Sequence, residues 1–369
     1  MPDITLCTYT YNDAALALGL IASVPSWTLR PQRLLVVDDG SAQPFVLPED
    51  TGGMAAELLR LPENQGPGKA KPAGISQANT ELILSLDCDM RLAPGWLAEA
   101  TPLALLPDVG IVGAPFVADA GSGVVGRWLK YFDEVKKPLG ETDFLTGGIW
   151  LFRREVWLTA GGFRDYAGRT HEDHHFCGRV KQLGLRLLVT GEKARQIRRL
   201  SRIAMVKRFR TWFGPNQRSQ EQSRETMEVG AMYLAQGMIQ RLEYSLRLDE
   251  PLFVYFEMLL LAAFGAACYE SLQATHPREA AAGTGTLLRG LVEICEPFPR
   301  LTDLLRRDLA ALKLRPPETT EYCPDWESAL DALATLARSG TFARIEKFLP
   351  LLLEEEGDRA DFSFYAAEQ

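Results

Sequence analysis

Leu34-Leu35-Val36-Val37-Asp38-Asp39-Gly40-Ser41 reads as a buried strand that ends in two carboxylates and a Gly-Ser turn. Carboxylates at a strand end face the crevice where α/β sheets bind ligands. There they accept hydrogen bonds from a base or a ribose, or hold a metal. An Asx-type turn that caps the following segment explains the same residues with equal weight. A second such edge follows at Leu82-Ile83-Leu84-Ser85-Leu86-Asp87-Cys88-Asp89. In an extended segment residues i and i+2 point the same way, so Asp87 and Asp89 are expected on one side and Cys88 on the other. Two hard oxygen donors side by side suit Mg2+ or Mn2+ together with substrate phosphates.

Around these edges the chain alternates short apolar runs with helix-like stretches. Residues 4–9, 33–37, 81–86 and 110–115 are predicted strands. Residues 13–23, 68–78 and 95–105 are predicted helices, the first capped by Asn12 or Asp13. This order predicts a parallel sheet with helices on both faces. The α/β pattern continues with helices over 123–136, 154–160 and 172–183 and strands over 149–152 and 185–189. Beyond about residue 220 the periodicity is helical, over 221–248, 252–272, 286–295, 301–312, 326–339 and 341–354, with prolines as punctuation. Two domains are expected: an α/β domain over 1–215 and an all-α domain over 216–369. The run 252–269 approaches the length of a membrane span. Glu257 within it, and its Ala and Gly content, favour a buried core helix.

The 369 residues are 46% apolar and 24% charged, which excludes wholesale disorder, collagen-like repeats and a disulfide-stapled miniprotein. The net charge of −8 is unevenly spread: 25 bases against 23 acids over 1–215, and 15 against 25 over 216–369. Cys7, Cys88, Cys177, Cys268, Cys295 and Cys323 form no C-x-x-C pair and read as buried thiols. The N-terminus lacks a basic stretch followed by a long apolar one, so a cytoplasmic location is expected.

Three further motifs carry polar chemistry. Asn64-Gln65-Gly66-Pro67-Gly68-Lys69-Ala70-Lys71 is a glycine loop entering a helix with two lysines, suited to an anion, and it matches neither the P-loop nor the dinucleotide fingerprint. Gly147-Gly148, within Phe144-Leu145-Thr146-Gly147-Gly148-Ile149-Trp150, lets backbone approach a ligand closely. In His171-Glu172-Asp173-His174-His175 two carboxylates occupy a first helical turn. The helix dipole alone explains them, and a general base is the functional alternative.

In this order the residues resemble the family 2 glycosyltransferases, inverting enzymes of the GT-A fold. Tyr9-Thr10-Tyr11-Asn12 is similar to the family's opening Tyr-Asn; the Asp-Asp-Gly-Ser, the Asn…Gly loop, the Asp-x-Asp, the Gly-Gly and the Glu-Asp follow. The resemblance covers residue 3 to about 212 and leaves out the helical tail. It implies a GT-A (nucleotide-diphospho-sugar transferase) α/β fold ahead of the C-terminal all-α domain. It further implies that Tyr9, Tyr11 and Asp39 hold the base of a nucleotide-sugar, most commonly UDP-linked, with Lys71 beside it. Asp87 would bond the ribose or sugar next to the metal, and Asp89 would bind a Mn2+ or Mg2+ ion on the diphosphate. Gly147 and Gly148 would line the sugar and acceptor site. Asp173 would deprotonate the acceptor hydroxyl, with Glu172 beside it. The chain departs from the family pattern twice. Pro72 stands where Asn is frequent, and Arg195-Gln196-Ile197-Arg198-Arg199 lacks the His that serves many members as a third metal ligand. Either Asp89 and phosphate hold the metal alone, or Arg198 and Arg199 neutralise the diphosphate.

Rival readings exist. His171-Glu172-x-x-His175 fits the zinc-hydrolase motif, with no third ligand at hand. The run 193–210 holds eight bases and no acid, and with Phe209, Trp212 and Phe213 it suits an anionic membrane surface. The favoured reading is a segment that closes over a diphosphate and docks on the acidic tail. A glycosyltransferase-like binding module with a helical interaction domain is the non-enzymatic alternative. The expected partners are a nucleotide-sugar and a glycan, lipid or protein acceptor, with no nucleic acid; peripheral contact with the inner face of the membrane and a homo-oligomer stay open.

Overall fold

The structure is a computed structural model, and it describes residues 2–119, 121, 123–134, 139–164, 166, 172–197, 201–213, 236–243, 245–270, 273, 276–319 and 321–357. His171, Arg198, Arg199 and most of the predicted helix 221–248 lie outside the described residues, as do the side chains of Phe209, Trp212 and Phe213. The chain forms two compact units, residues 1–121 with 129–199 and residues 122–128 with 200–369.

The first unit runs β1 (Ile4–Thr10), α1 (Ala14–Ser23), β2 (Arg33–Asp38), β3 (Ala55–Arg60), α2 (Pro67–Ile75), β4 (Leu82–Leu86), β5 (Met90–Arg91), α3 (Trp96–Ala104), β6 (Val109–Gly113) and β7 (Phe116–Ala118). After α4 (Val124–Glu134) come β8 (Gly140–Thr142), β9 (Ile149–Arg153), α5 (Arg154–Ala160), α6 (Glu172–Gln182), β10 (Arg186–Val189) and β11 (Ala194–Gln196). Eight strands form one sheet in the order β3-β2-β1-β4-β9-β6-β10-β8, and β5-β11-β7 form a second.

The sheet is mixed, which corrects the all-parallel expectation. β1, β2, β3 and β4 are parallel, but β9 lies antiparallel between β4 and β6, and β8 pairs antiparallel with β10. An apolar run specifies that a strand is buried, while its direction depends on where the connection before it leads. The expectation of helices on both faces holds. Alternate residues of β1, β2 and β4 pack with α1 and α3 on one side, through Leu6, Val36, Leu84, Leu20 and Trp96. The others pack with α2, α5 and α6 through Cys7, Leu35, Ile83, Ile75, Trp157 and Phe176.

β3 has no counterpart among the predicted strands. It is the edge of the sheet, half exposed, and its Ala-Ala-Glu-Leu-Leu-Arg sequence offers no buried apolar run. The cap expected for α1 is absent: neither Asn12 nor Asp13 gives the helix a side-chain hydrogen bond. Asn12 is committed elsewhere. Its N–H donates to Ser41 Oγ and its Oδ1 accepts from Ala42 N–H, each at 2.9 Å, with φ at +55°. The Tyr-Asn and Asp-Asp-Gly-Ser segments are thereby tied together.

Asp38, fully buried, resolves one half of the acid pair as turn chemistry. It accepts from the Ser41 N–H at 2.9 Å and the Phe45 N–H at 3.0 Å, and it pairs with Arg60. Burial alone would raise its carboxyl; the Ser41, Phe45 and Arg60 interactions outweigh that and hold it below the ordinary 3.8. Gly40 must be glycine, since its φ is +70° and a Cβ would lie 2.4 Å from the Glu63 carbonyl carbon.

The second unit is helical. Pro251–Glu270 packs against Arg202–Phe213, Pro277–Cys295, Pro299–Ala311 and Thr341–Gly357. Pro251, Pro277 and Pro299 start helices rather than separate them, because a first-turn residue needs no N–H partner. Among the described residues no helix is long and apolar enough to cross a membrane. Glu257, buried in the apolar helix, accepts from Trp128 Nε1 at 3.1 Å and from Arg241 Nε at 2.6 Å. From the basic run, Arg202 forks onto buried Asp308 at 2.6 and 2.7 Å, with the Tyr255 hydroxyl donating to the same carboxylate; Arg210 pairs with Glu270.

Two stability predictions follow from these contacts. Asp38→Asn is expected to lower unfolding free energy by about 1–3 kcal/mol in urea at pH 7. Because the folded carboxyl sits below its unfolded value, the stabilisation is complete above about pH 4 and fades below that, so the two proteins should converge in acid. Asp308→Ala, which strands the buried Arg202 guanidinium, should cost about 3–5 kcal/mol.

Candidate active site

The site lies where β1 and β4 end, β9 starts, and α2 and α6 begin. Lys71 is its centre. It projects from α2 and is 4% exposed. Its Nζ donates to the Gly147 carbonyl and to Glu172 Oε1, each at 2.9 Å, and stands 3.3 Å from Asp87 Oδ1. The Tyr9 and Trp150 rings lie 5.2 and 5.3 Å from it and offer their π faces to the ammonium. Burial would lower the ammonium's pKa; Asp87 and Glu172 outweigh this and hold it above the ordinary value. The Lys71 ammonium, expected to serve an anion at the helix entrance, turns inward onto carboxylates in this structure. Lys69, the other lysine of the motif, reaches the Tyr166 carbonyl at 3.4 Å.

Gly147 has no room for a side chain. A Cβ there would lie 2.6 Å from Lys71 Nζ and 3.2 Å from Glu172 Oε1. The double glycine does admit a close approach at this position, to the protein's own lysine. At Gly148 the nearest atoms, on Met90 and Asp87, are at ordinary contact distances of 3.7 and 3.8 Å.

The Asp-x-Asp motif sits in a turn, since β4 ends at Leu86, so strand alternation does not orient it. Backbone pairing does. The Asp87 N–H donates to the Gly148 carbonyl at 3.0 Å, and the Ile197 N–H to the Asp89 carbonyl at 2.6 Å. The Asp87 carboxyl is pushed up to about 6 by burial, with Asp89 and Glu172 adding to the rise and Lys71 opposing it. Cys88 packs into the core beneath. Asp89 is buried, and the Gln196 amide donates to its Oδ2 at 3.0 Å. Gln196 arrives there because β11 pairs antiparallel with β5, placing Gln196 opposite Met90.

Asp173, in the first turn of α6, accepts from the Gly147 N–H at 3.3 Å and from the His174 N–H at 2.9 Å. Asp39 is farther along the sheet and grips the loop that launches α2, accepting from the Gln65 and Gly66 N–H groups at 2.8 Å each. Tyr11 is half-buried in the bend after β1. The structure thus brings Tyr9, Lys71, Asp87, Gly147 and Glu172 into one contact set, with Asp173 joined through Gly147. Asp39 acts on its loop.

Against the zinc-hydrolase reading, Glu172, its required base, is engaged by Lys71; His171 lies outside the described residues. Several contacts have no foretelling signal. Nothing local marks Arg60 as the partner of Asp38 or Trp150 as a face for Lys71. For Lys71 itself, the small neighbours in Ala70-Lys71-Pro72-Ala73-Gly74 are a signal that α2 packs tightly.

The mixed sheet with helices on both faces agrees with the GT-A fold that the family 2 resemblance implies. Residues 5–158 match the family model Glycosyl transferase family 2. Among curated relatives, the pre-mycofactocin glycosyltransferase of Mycobacterium tuberculosis is 27% identical over 195 residues, covering 50% of this chain and 40% of the relative. The glucosyl-dolichyl phosphate glucuronosyltransferase of Haloferax volcanii is 25% identical over 187 residues, covering 47% and 58%. The matches span 40% and 58% of the lengths of these relatives. Among solved structures, S. aureus TarS (residues 1–349) is 15% identical, with a TM-score of 0.43 over 92% of both chains.

Contacts at the two glycines make a sharp prediction. Gly147→Ala must displace an ammonium pinned by three oxygens and is expected to lower the unfolding temperature by several degrees, about 1–3 kcal/mol. Gly148→Ala should leave it nearly unchanged in the same thermal melt.

Proposed function

We propose that the chain is an inverting glycosyltransferase that moves a sugar from a nucleotide-sugar, a UDP-sugar in the first instance, to an acceptor hydroxyl. One observation carries this reading: in a chain whose residues 5–158 match the family 2 model, Asp87, Glu172 and Asp173 converge from separate segments around Lys71 and Gly147. That arrangement has one side suited to a donor and one suited to a base.

In this reading Asp87 binds the ribose or sugar from the end of β4. Asp39 and Tyr11, with the loop that Asp39 holds, face the base. Asp173 takes the proton of the attacking hydroxyl, and the Gly147 N–H keeps its carboxylate in place while it does so. Attack on the face opposite the leaving diphosphate inverts the anomeric centre.

A divalent cation fits the donor set in part. Asp89 is a hard oxygen ligand whose plane is set by the Gln196 amide, with Asp87 two residues away. The described residues offer no third acidic or imidazole ligand, so phosphate oxygens and water would complete the shell, as Mg2+ and Mn2+ commonly allow. Such an ion, when bound, stabilises the charge that develops on the leaving diphosphate. The sugar and the acceptor are left open, the latter a glycan, a lipid or a protein.

Asp173→Asn is expected to lower transfer by about 10²–10⁴-fold while UDP affinity by calorimetry stays within about threefold. Normal transfer by that variant with intact UDP binding would sink the assignment. EDTA should abolish the thermal stabilisation given by UDP, and Mn2+ should restore it in the parent protein but not in Asp89→Asn. Stabilisation indifferent to EDTA would rule the metal out.

A further inference from the structure

We infer that Lys71 is a positioning residue that locks the base-bearing helix to the donor strand end, and that it is not a ligand for the nucleobase. The inference rests on the proposed function for its kinetic consequence and on contacts alone for its structural one.

A primary ammonium has three N–H donors. The Lys71 ammonium is surrounded by three oxygens: Gly147 carbonyl, Glu172 Oε1 and Asp87 Oδ1, at 2.9, 2.9 and 3.3 Å. Two aromatic rings cover it further, and only 2% of the side chain is accessible. Two of its N–H groups are spent on Gly147 and Glu172, and the ion pair with Asp87 and the two rings enclose the third, so a base or a phosphate would have to displace part of this set.

The three oxygens come from three segments with different tasks. Asp87 follows β4 on the donor side. Gly147 precedes β9, and its own N–H holds Asp173. Glu172 opens α6 and is the neighbour of Asp173 in sequence. Lys71 therefore reaches the base by two routes, through the Gly147 peptide and through the first turn of α6. Asp173 is placed relative to Asp87 by one side chain that touches neither substrate. Misplacing a reacting group by about 1 Å costs about 100-fold in rate. Gly147 lacks a Cβ to make room for this contact, which marks the position as shaped around the lysine.

The test is a double-mutant cycle in the whole chain with Lys71→Met, Glu172→Met and both together, each checked by thermal melt. Transfer and UDP binding in the presence of Mn2+ are measured for every folded variant. Each single change is expected to lower kcat about 100-fold, with the double no worse than either single, because both remove the same link. UDP affinity should stay within about threefold throughout. A tenfold or greater loss of UDP affinity in Lys71→Met with kcat preserved overturns the inference and makes Lys71 a donor ligand; so do additive kcat losses. If the parent protein turns over no nucleotide-sugar, the proposed function fails, and the cycle is read from unfolding temperature. There the double variant, which removes both charges, should recover part of the loss of each single. Absence of that recovery overturns the link by itself.

Discussion

An ammonium sealed among two carboxylates and a carbonyl is the interaction on which the candidate site depends. Removing a charged lysine from water costs several kcal/mol unless every donor finds a partner. Here the partners come from the end of β4, the approach to β9 and the start of α6. Lys71 is satisfied only when those segments are in place together, so its burial couples the sheet's register to the site's geometry. The same contact explains Gly147, whose missing side chain is the space the ammonium fills.

The paired acids divide their work in a way that their shared appearance conceals. Asp38 and Asp39 follow one apolar strand, yet Asp38 is spent on its turn and on Arg60, while Asp39 holds the loop ahead of α2. Ligand contact and turn capping were equally good explanations of this pair, and the turn explanation accounts fully for Asp38. Asp87 and Asp89 divide differently. Asp87 faces a cation from its own chain, and Asp89 faces the Gln196 amide. An amide at that place orients a carboxylate without adding charge, where a histidine would add a ligand.

The second unit handles charge by burial in pairs. Arg202 pairs with Asp308, both buried, and Arg241 pairs with the fully buried carboxylate of Glu257. Such pairs add little net stability compared with well-packed apolar residues, but removing one partner is costly. Part of the basic run that stood out in the sequence is engaged by acids, Arg202 by buried Asp308 and Arg210 by exposed Glu270. Glu257 likewise explains why an apolar helix of near-membrane length carries an acid: the acid is bonded to Trp128 and Arg241.

The amino-acid sequence by itself determined that the apolar runs near residues 4, 33, 82, 110, 149 and 186 become strands, that helices cover both faces, and the chain order of the acid and glycine motifs that resembles family 2. These properties are local: apolar periodicity, turn residues and spacing are written over a few positions. It did not determine the direction of β9, the edge strand β3, or the inward turn of Lys71. A strand's direction depends on its neighbours in the sheet, and an edge strand needs no buried run to pair. A lysine two residues past a glycine loop reads as solvated, because nothing nearby in sequence can neutralise it. Its partners lie 16, 76 and 101 positions away, and only the folded sheet brings them within 3.3 Å.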